Sequence, residues 1–181
     1  MFEQMSQLLG IPAHVLQNEV LNKGLGIEFE KGKIDPIEFH GKLCKLANKN
    51  VPIEALIEAV SNIFTPNWPM ANLLRQLKAK GHRLLLLSNT NELHFSFAKQ
   101  HYPEMFHPFD DFVLSYEVGH AKPEPEIFHA ALAKTKSPPS QCFYTDDIPA
   151  FIEAATRVNI PSMLFTGIDP LTEELGSRGI L

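Results

Sequence analysis

The sequence is short of cysteine, of basic charge and of long apolar runs, and each shortage removes a class of protein. Cys44 and Cys142 are the only cysteines in 181 residues. One falls in a helical pattern and the other in a strand pattern, so a disulfide-stapled scaffold is excluded and the reduced thiols of a cytoplasmic protein are expected. Sixteen Lys and Arg against 21 Asp and Glu leave a net charge of −5, which argues against nucleic acid or an anionic membrane as the main partner. The longest unbroken aliphatic run, Leu84–Leu87, is far too short to cross a bilayer. Glu3 comes early and no basic stretch precedes an apolar one, so no secretory signal is expected at the amino end. The eight histidines are scattered without zinc-type spacing. His94 and His101 share a helix face and read as solvated surface residues rather than ligands.

What is present is ordinary globular material, 44% hydrophobic and 20% charged, in a chain long enough for one domain or one core with a small appendage. From Met1 to about Phe64 the periodicity is helical. Phe2, Met5, Leu8 and Leu9 mark a first stripe, and Pro12 opens a second with Val15, Leu16 and Val20. The stretch Phe29-Glu30-Lys31-Gly32-Lys33-Ile34-Asp35-Pro36 breaks the pattern, with Asp35 placed as an N-cap and Pro36 at the first helical position. Ile37, Phe39, Leu43 and Leu46 follow, then a helix from Pro52. Thr65-Pro66-Asn67-Trp68-Pro69 has the composition of a linker. These signals divide the chain into residues 1–67, all helical, and 68–181.

Beyond the linker the texture changes. A helix ends at Gly81, Leu84–Leu87 is a continuous apolar run after Arg83, and strand and helix patterns then alternate: helix at 91–101, strand at 111–115, helix at 125–135, strand through Cys142–Thr145, a further helix, and a last strand at Ser162–Phe165. Such alternation on short connections predicts an α/β fold with a doubly wound parallel sheet, whose strands are apolar on both faces.

In an open α/β sheet, ligands bind outside the carboxyl ends of the strands, and three polar clusters fall there. Ser88-Asn89-Thr90 ends the Leu84–Leu87 run. Its hydroxyl, amide and main-chain N–H groups suit an oxyanion, and helix capping by Asn89 or Thr90 accounts for them equally well. Lys122 lies in Gly119-His120-Ala121-Lys122-Pro123-Glu124-Pro125, a proline-stiffened loop able to hold a positive charge toward phosphate; taken singly, a solvated lysine is the plainer reading. Asp146-Asp147 closes the strand Phe143-Tyr144-Thr145. Two adjacent carboxylates repel unless a cation or a partner neutralises them, which suits Mg²⁺; Asp147 as the N-cap of the next helix is the alternative. Hydroxyl, lysine and carboxylate pair together, on successive loops of one sheet edge, suit a metal ion beside a phosphoryl group.

The runs Leu84-Leu85-Leu86-Leu87-Ser88-Asn89-Thr90, Lys122-Pro123-Glu124-Pro125-Glu126-Ile127-Phe128 and Phe143-Tyr144-Thr145-Asp146-Asp147 with Glu153-Ala154-Ala155 resemble motifs II, III and IV of the haloacid dehalogenase (HAD) superfamily. Their order and spacing are those of its phosphatase-like subfamily I, and the helical piece, including Phe29-Glu30-Lys31-Gly32-Lys33-Ile34, resembles that subfamily's small cap domain. The likeness covers nearly the whole chain. It implies a HAD-like Rossmann-like core with an N-terminal helical cap and an Mg²⁺-dependent phosphatase of small phosphorylated metabolites. By resemblance, Ser88 would hydrogen-bond the phosphoryl group, with Asn89 contributing through its backbone. Lys122 would neutralise phosphate and nucleophile, and Asp146 and Asp147 would hold Mg²⁺. The founding dehalogenases lack the aspartate pair, so its presence favours phosphate over carbon–halogen chemistry. Leu25, Ile27, Phe29 and Trp68 are candidates for a pocket between cap and core, with ordinary packing the stronger reading; oligomeric state is not encoded in any pattern.

One family element has no counterpart. The first motif is an apolar strand ending in Asp-x-Asp, the first Asp being the nucleophile and the second the general acid/base. This sequence contains no Asp-x-Asp, and Asp110-Asp111 opens a strand pattern rather than ending one. In the family that strand lies between the Leu84–Leu87 and Phe143–Thr145 strands, so the expected sheet lacks its centre. A missing strand of about four buried apolar side chains at ~1.5–3 kcal/mol each forfeits on the order of 10 kcal/mol. Three accounts follow: a natural protein beginning upstream of Met1, which is the preferred one; a remnant whose sheet closes over the gap or takes a second chain there, serving as a binding or structural protein; and an unrelated nucleophile. Phosphate-ester turnover by the 181 residues themselves is not expected.

Overall fold

The computed structural model describes residues 1–181. It divides into two compact units: Met1–Thr65 with Asn89–Pro103 and Ser115–Gly119, and Pro66–Ser88 with Glu104–Leu114 and His120–Leu181.

The first unit is all helix. Helices α1 (Phe2–Leu9), α2 (Ala13–Gln17, continued by a wider turn to Asn22), α3 (Leu25–Glu30), α4 (Pro36–Ala47) and α5 (Ile53–Ser61) enclose a core that includes Met5, Leu9, Leu16, Leu43 and Leu56. The predicted stripes turn apolar residues inward, as amphipathic helices must to fold in water, though in α4 only Phe39 and Leu43 are buried while Ile37 and Leu46 are exposed. α4 starts as expected: Asp35 accepts a hydrogen bond from the Glu38 N–H at 2.8 Å, and Glu38 Oε2 accepts one from the Asp35 N–H at 3.1 Å. This reciprocal capping is worth about 1 kcal/mol. Ahead of it, Gly32 sits at φ +63°, and a Cβ there would meet the Tyr116 carbonyl oxygen at 2.1 Å, so only glycine fits. The unit also holds α7 (Glu92–His101) and α8 (Ser115–Val118), segments that follow the linker in the sequence.

The second unit carries α6 (Trp68–Ala79), β1 (Leu85–Ser88), β2 (Asp111–Leu114), α9 (Pro125–Thr135), β3 (Tyr144–Asp146), α10 (Pro149–Arg157), β4 (Ser162–Leu164) and α11 (Ile168–Ser177). All strand pairing is parallel, as the α/β alternation predicts. β1 pairs β2 with Ser88 opposite Leu114, and β3 pairs β4 with Asp146 opposite Leu164. The expected single sheet is nevertheless two two-stranded sheets, and β1 and β3 share no ladder; the sheet does not close over the gap. Val113 and Leu114 of β2 are fully buried, whereas every residue of β1, β3 and β4 is only half-buried. At the amino edge, Asp110 takes the Lys78 ammonium and the Leu84 N–H, while Asp111 takes Lys134. These two aspartates are strand anchors, at the end of the sheet away from Ser88.

Candidate functional site

The parallel register puts Ser88 and Asp146 at the carboxyl ends of their strands, where the rule for open α/β sheets places a ligand. Lys122 ties the two ends together. Its Nζ donates to the Leu87 carbonyl at 3.1 Å, one residue before Ser88, and to Asp146 Oδ2 at 2.6 Å. The loop that carries it is a tight turn, with the Glu124 N–H on the Ala121 carbonyl at 2.9 Å and Glu124 Oε2 on the Ala121 N–H at 3.1 Å. Ala121 is buried, which leaves the lysine little freedom. The ammonium also lies 5.0 Å from the centre of the Phe151 ring, a favourable contact for a cation.

Only 8% of the Lys122 side chain and 10% of the Asp146 side chain are exposed, so this is a buried ion pair rather than a solvated lysine. Burial raises the Asp146 pKa, but the hydrogen bonds from Lys122 and Tyr144 and the lysine's charge outweigh it, leaving the carboxyl below its ordinary value. Tyr144 donates to the same Oδ2 at 2.6 Å. Its phenol is held well above the usual range by burial first, then by its hydrogen bond to Asp146 and the charges of both aspartates. The other oxygen, Oδ1, accepts the Ile148 N–H at 3.0 Å.

Asp147 is exposed. The N-cap of α10 is Ile148, without a side-chain cap, so Asp147 does not serve the capping role that was its alternative. Capping at the other cluster is corrected in the same way: the cap of α7 is Asn91, which accepts from the His94 N–H at 3.0 Å, and neither Asn89 nor Thr90 takes that place. Asn89 follows Ser88 in the turn. Thr90 is held instead by Ser115, whose Oγ accepts the Thr90 N–H at 2.9 Å and donates to the Thr90 carbonyl at 2.8 Å.

For a divalent ion, the residues present fit. Oδ1 of Asp146 and the carboxylate of Asp147 are hard oxygen donors on neighbouring residues, the type Mg²⁺ takes. His120, Glu124 and Glu126 form a second group of potential ligand atoms within 4.8 Å of one another, with His120 and Glu124 already joined at 3.2 Å.

Sequence reasoning missed two residues here. Tyr144 lies in an apolar strand pattern, yet strand alternation places residue i on the face of residue i+2, and that spacing is the signal for its bond to Asp146. Ser115, buried at 0% exposure, gave no signal. His94 is also corrected: its ring is largely buried and Nε2 lies 3.1 Å from the Val60 carbonyl, with burial lowering its pKa. Of the pocket candidates, Leu25 and Phe29 belong to the helical core, while Ile27 and Trp68 are exposed. Within the helical unit, Ile27 and Phe29 line a cavity of about 250 Å³ together with Glu30, Asn91 and His94.

A family model for haloacid dehalogenase-like hydrolases matches residues 9–159. Among curated proteins, the chain is 29% identical over 160 residues to acyl-CoA dehydrogenase family member 10 of Mus musculus, covering 85% of this chain and 15% of that protein. It is 30% identical over 130 residues to D-ribitol-5-phosphate phosphatase of Bacteroides thetaiotaomicron, covering 68% of this chain and 63% of the relative. The chain thus spans less than two thirds of both. Among solved structures, a HAD family enzyme from Bacteroides thetaiotaomicron, in complex with magnesium and inorganic phosphate, superposes with a TM-score of 0.80 at 26% identity, covering 90% of this chain and 83% of the other.

Proposed function

Because this chain belongs to the haloacid dehalogenase-like hydrolases, we propose that its second unit is built for Mg²⁺-dependent hydrolysis of the phosphoric monoesters of small metabolites, and that the 181-residue polypeptide does not itself turn them over. The observation that carries the first half is Lys122, buried and bonded to both the carbonyl preceding Ser88 and to Asp146. One fixed charge thereby serves a hydroxyl-bearing strand end and a carboxylate-bearing one, the parts phosphoryl chemistry needs beside each other. Support also comes from the D-ribitol-5-phosphate phosphatase relative and the magnesium–phosphate complex of the structural neighbour.

In this reading Ser88 hydrogen-bonds the phosphoryl oxygens and Asn89 adds its backbone N–H. Lys122 offsets phosphate charge at a place where little water screens it. Asp146 and Asp147 hold the ion. Mg²⁺, when bound, supplies charge neutralisation and orients the phosphoryl group. Residues 1–67 act as the cap that selects the metabolite and 68–181 as the core. The two free thiols support a cytoplasmic setting, and no helix is long and apolar enough to cross a membrane.

The second half rests on the absent Asp-x-Asp: nothing at the site supplies the carboxylate that attacks phosphorus. The two unjoined strand pairs favour one further reading, a non-catalytic binding protein. Assay of the purified chain with Mg²⁺ and an aryl phosphate should give no turnover, and fusing an apolar strand ending in Asp-x-Asp ahead of Met1 should create it. Robust turnover by the unextended chain, abolished by Lys122→Ala, would overturn the inactive reading. Mg²⁺ binding without turnover in the fused protein would favour the binding protein.

A further inference from the structure

Asp146 is asked to do two things at once, to neutralise a buried lysine and to bind a divalent cation, and the structure shows how one carboxylate is divided between them. A carboxylate has two oxygens and about four lone-pair sites. Lys122 Nζ and the Tyr144 hydroxyl both donate to Oδ2, each at 2.6 Å, and only the Ile148 N–H at 3.0 Å reaches Oδ1. We propose that Tyr144 is the positioning residue of the ion site: with Lys122 it claims Oδ2 of Asp146, so that Oδ1 and the carboxylate of Asp147 form the face offered to a divalent cation. This rests on reading the aspartate pair as the ion site.

The phenol is placed for that task by the strand and by packing. Tyr144 and Asp146 are two apart in β3, on one face. The Tyr144 ring stands edge-on to Phe128, with centroids 5.6 Å apart at 89°, and Phe128 is fully buried. The hydroxyl therefore has one place to point. Lys122 on Oδ2 and the Ile148 N–H on Oδ1 leave the tilt of the carboxylate plane to be set by a third donor. The hydroxyl, as a second donor to Oδ2, fixes that tilt and leaves Oδ1 with only a neutral N–H, the oxygen open to the ion. Partners that orient a ligand in this way typically govern metal affinity by 10–100-fold.

The test needs no turnover. Mn²⁺ binding, followed by the loss of the free-ion electron paramagnetic resonance signal, and Mg²⁺ binding, followed by calorimetry, are compared for the 181-residue chain and for Tyr144→Phe, Asp147→Asn and Val113→Ala. Val113 is fully buried in β2, so its truncation loosens the unit without removing a partner of Asp146 and controls for general loosening. Tyr144→Phe and Asp147→Asn are each expected to weaken both ions by about tenfold or more, with Val113→Ala retaining the parent affinity. Equal affinity in the parent and Tyr144→Phe overturns the role of Tyr144 while leaving the ion site standing. The same loss in Val113→Ala overturns it too, since general loosening then explains the effect. Absence of binding by the parent chain overturns the ion site itself, and this inference with it.

Discussion

The helical unit and the α/β unit of this molecule solve the burial problem to different degrees. In the helical unit Leu16, Leu43 and Leu56 reach 0% exposure. In the α/β unit the run Leu85-Leu86-Leu87, apolar as a parallel strand should be, stays half-buried along its whole length. The same is true of β3 and β4. A helix satisfies its backbone within itself, whereas a strand depends on neighbours for hydrogen bonds and on cover for both faces. β1 and β3 share no ladder, so each strand pair lacks a neighbour of the kind the helices do not need. Charge shows the opposite contrast: the helical unit's pair Lys42–Glu28 is about half exposed, while the α/β unit encloses Lys122–Asp146.

Breaking the charges gives the largest expected effect. Lys122→Met leaves the Asp146 carboxylate enclosed without its cation and should cost about 3–5 kcal/mol, read as a fall in thermal midpoint of roughly 10 °C for a chain of this size. Lys42→Met, at the exposed pair, should cost under about 1 kcal/mol. Similar losses at the two sites would show that the buried pair is not desolvated as described.

Truncating leucines sharpens the packing contrast. Leu43→Ala in the helical core should cost about 2–5 kcal/mol. Leu86→Ala in β1 should cost less than about 2 kcal/mol, because a half-exposed side chain has less area to lose from its surroundings. Denaturant midpoints measure both, and equal losses would mean that β1 is as well packed as the helices.

The smallest effect is one of pH. The Asp146 pKa is lowered in the folded chain from an unfolded value near 3.9. Its stabilisation is therefore complete above about pH 4 and is lost as pH falls through the folded value. The stability difference between the parent and Asp146→Asn, followed by urea titration from neutral pH downward, should hold steady to about pH 4 and shrink below it. A difference that changes instead between pH 6 and 8 would contradict the assigned shift.

Much of this was legible in the residue order. The Asp35–Glu38 cap, the strands at Leu85–Ser88 and Asp111–Leu114, and the helix at Pro125–Thr135 all follow from signals within a few residues of one another. Helix capping was harder to place. Asn89, Thr90, Asn91 and Asp147 are all good capping residues, and only the path of the backbone selects Asn91 and passes over the rest. Tyr144 shows the limit most clearly, since a tyrosine in an apolar strand reads as core until a carboxylate two residues on is seen to take its hydroxyl.

The sequence by itself determined the alternation of helices and strands, the family likeness, the candidate residues Ser88, Lys122, Asp146 and Asp147, and the lack of Asp-x-Asp. These are local patterns, or counts, and local physics reads them. Only the tertiary structure decided that the strands form two pairs, that Lys122 is enclosed against Asp146, and that Tyr144 shares its oxygen. Strand pairing and the enclosure of Lys122 join residues 18 to 35 positions apart, which no local spacing carries. Tyr144 and Asp146 are two apart, and there the structure decides only the burial that points the hydroxyl at the carboxylate.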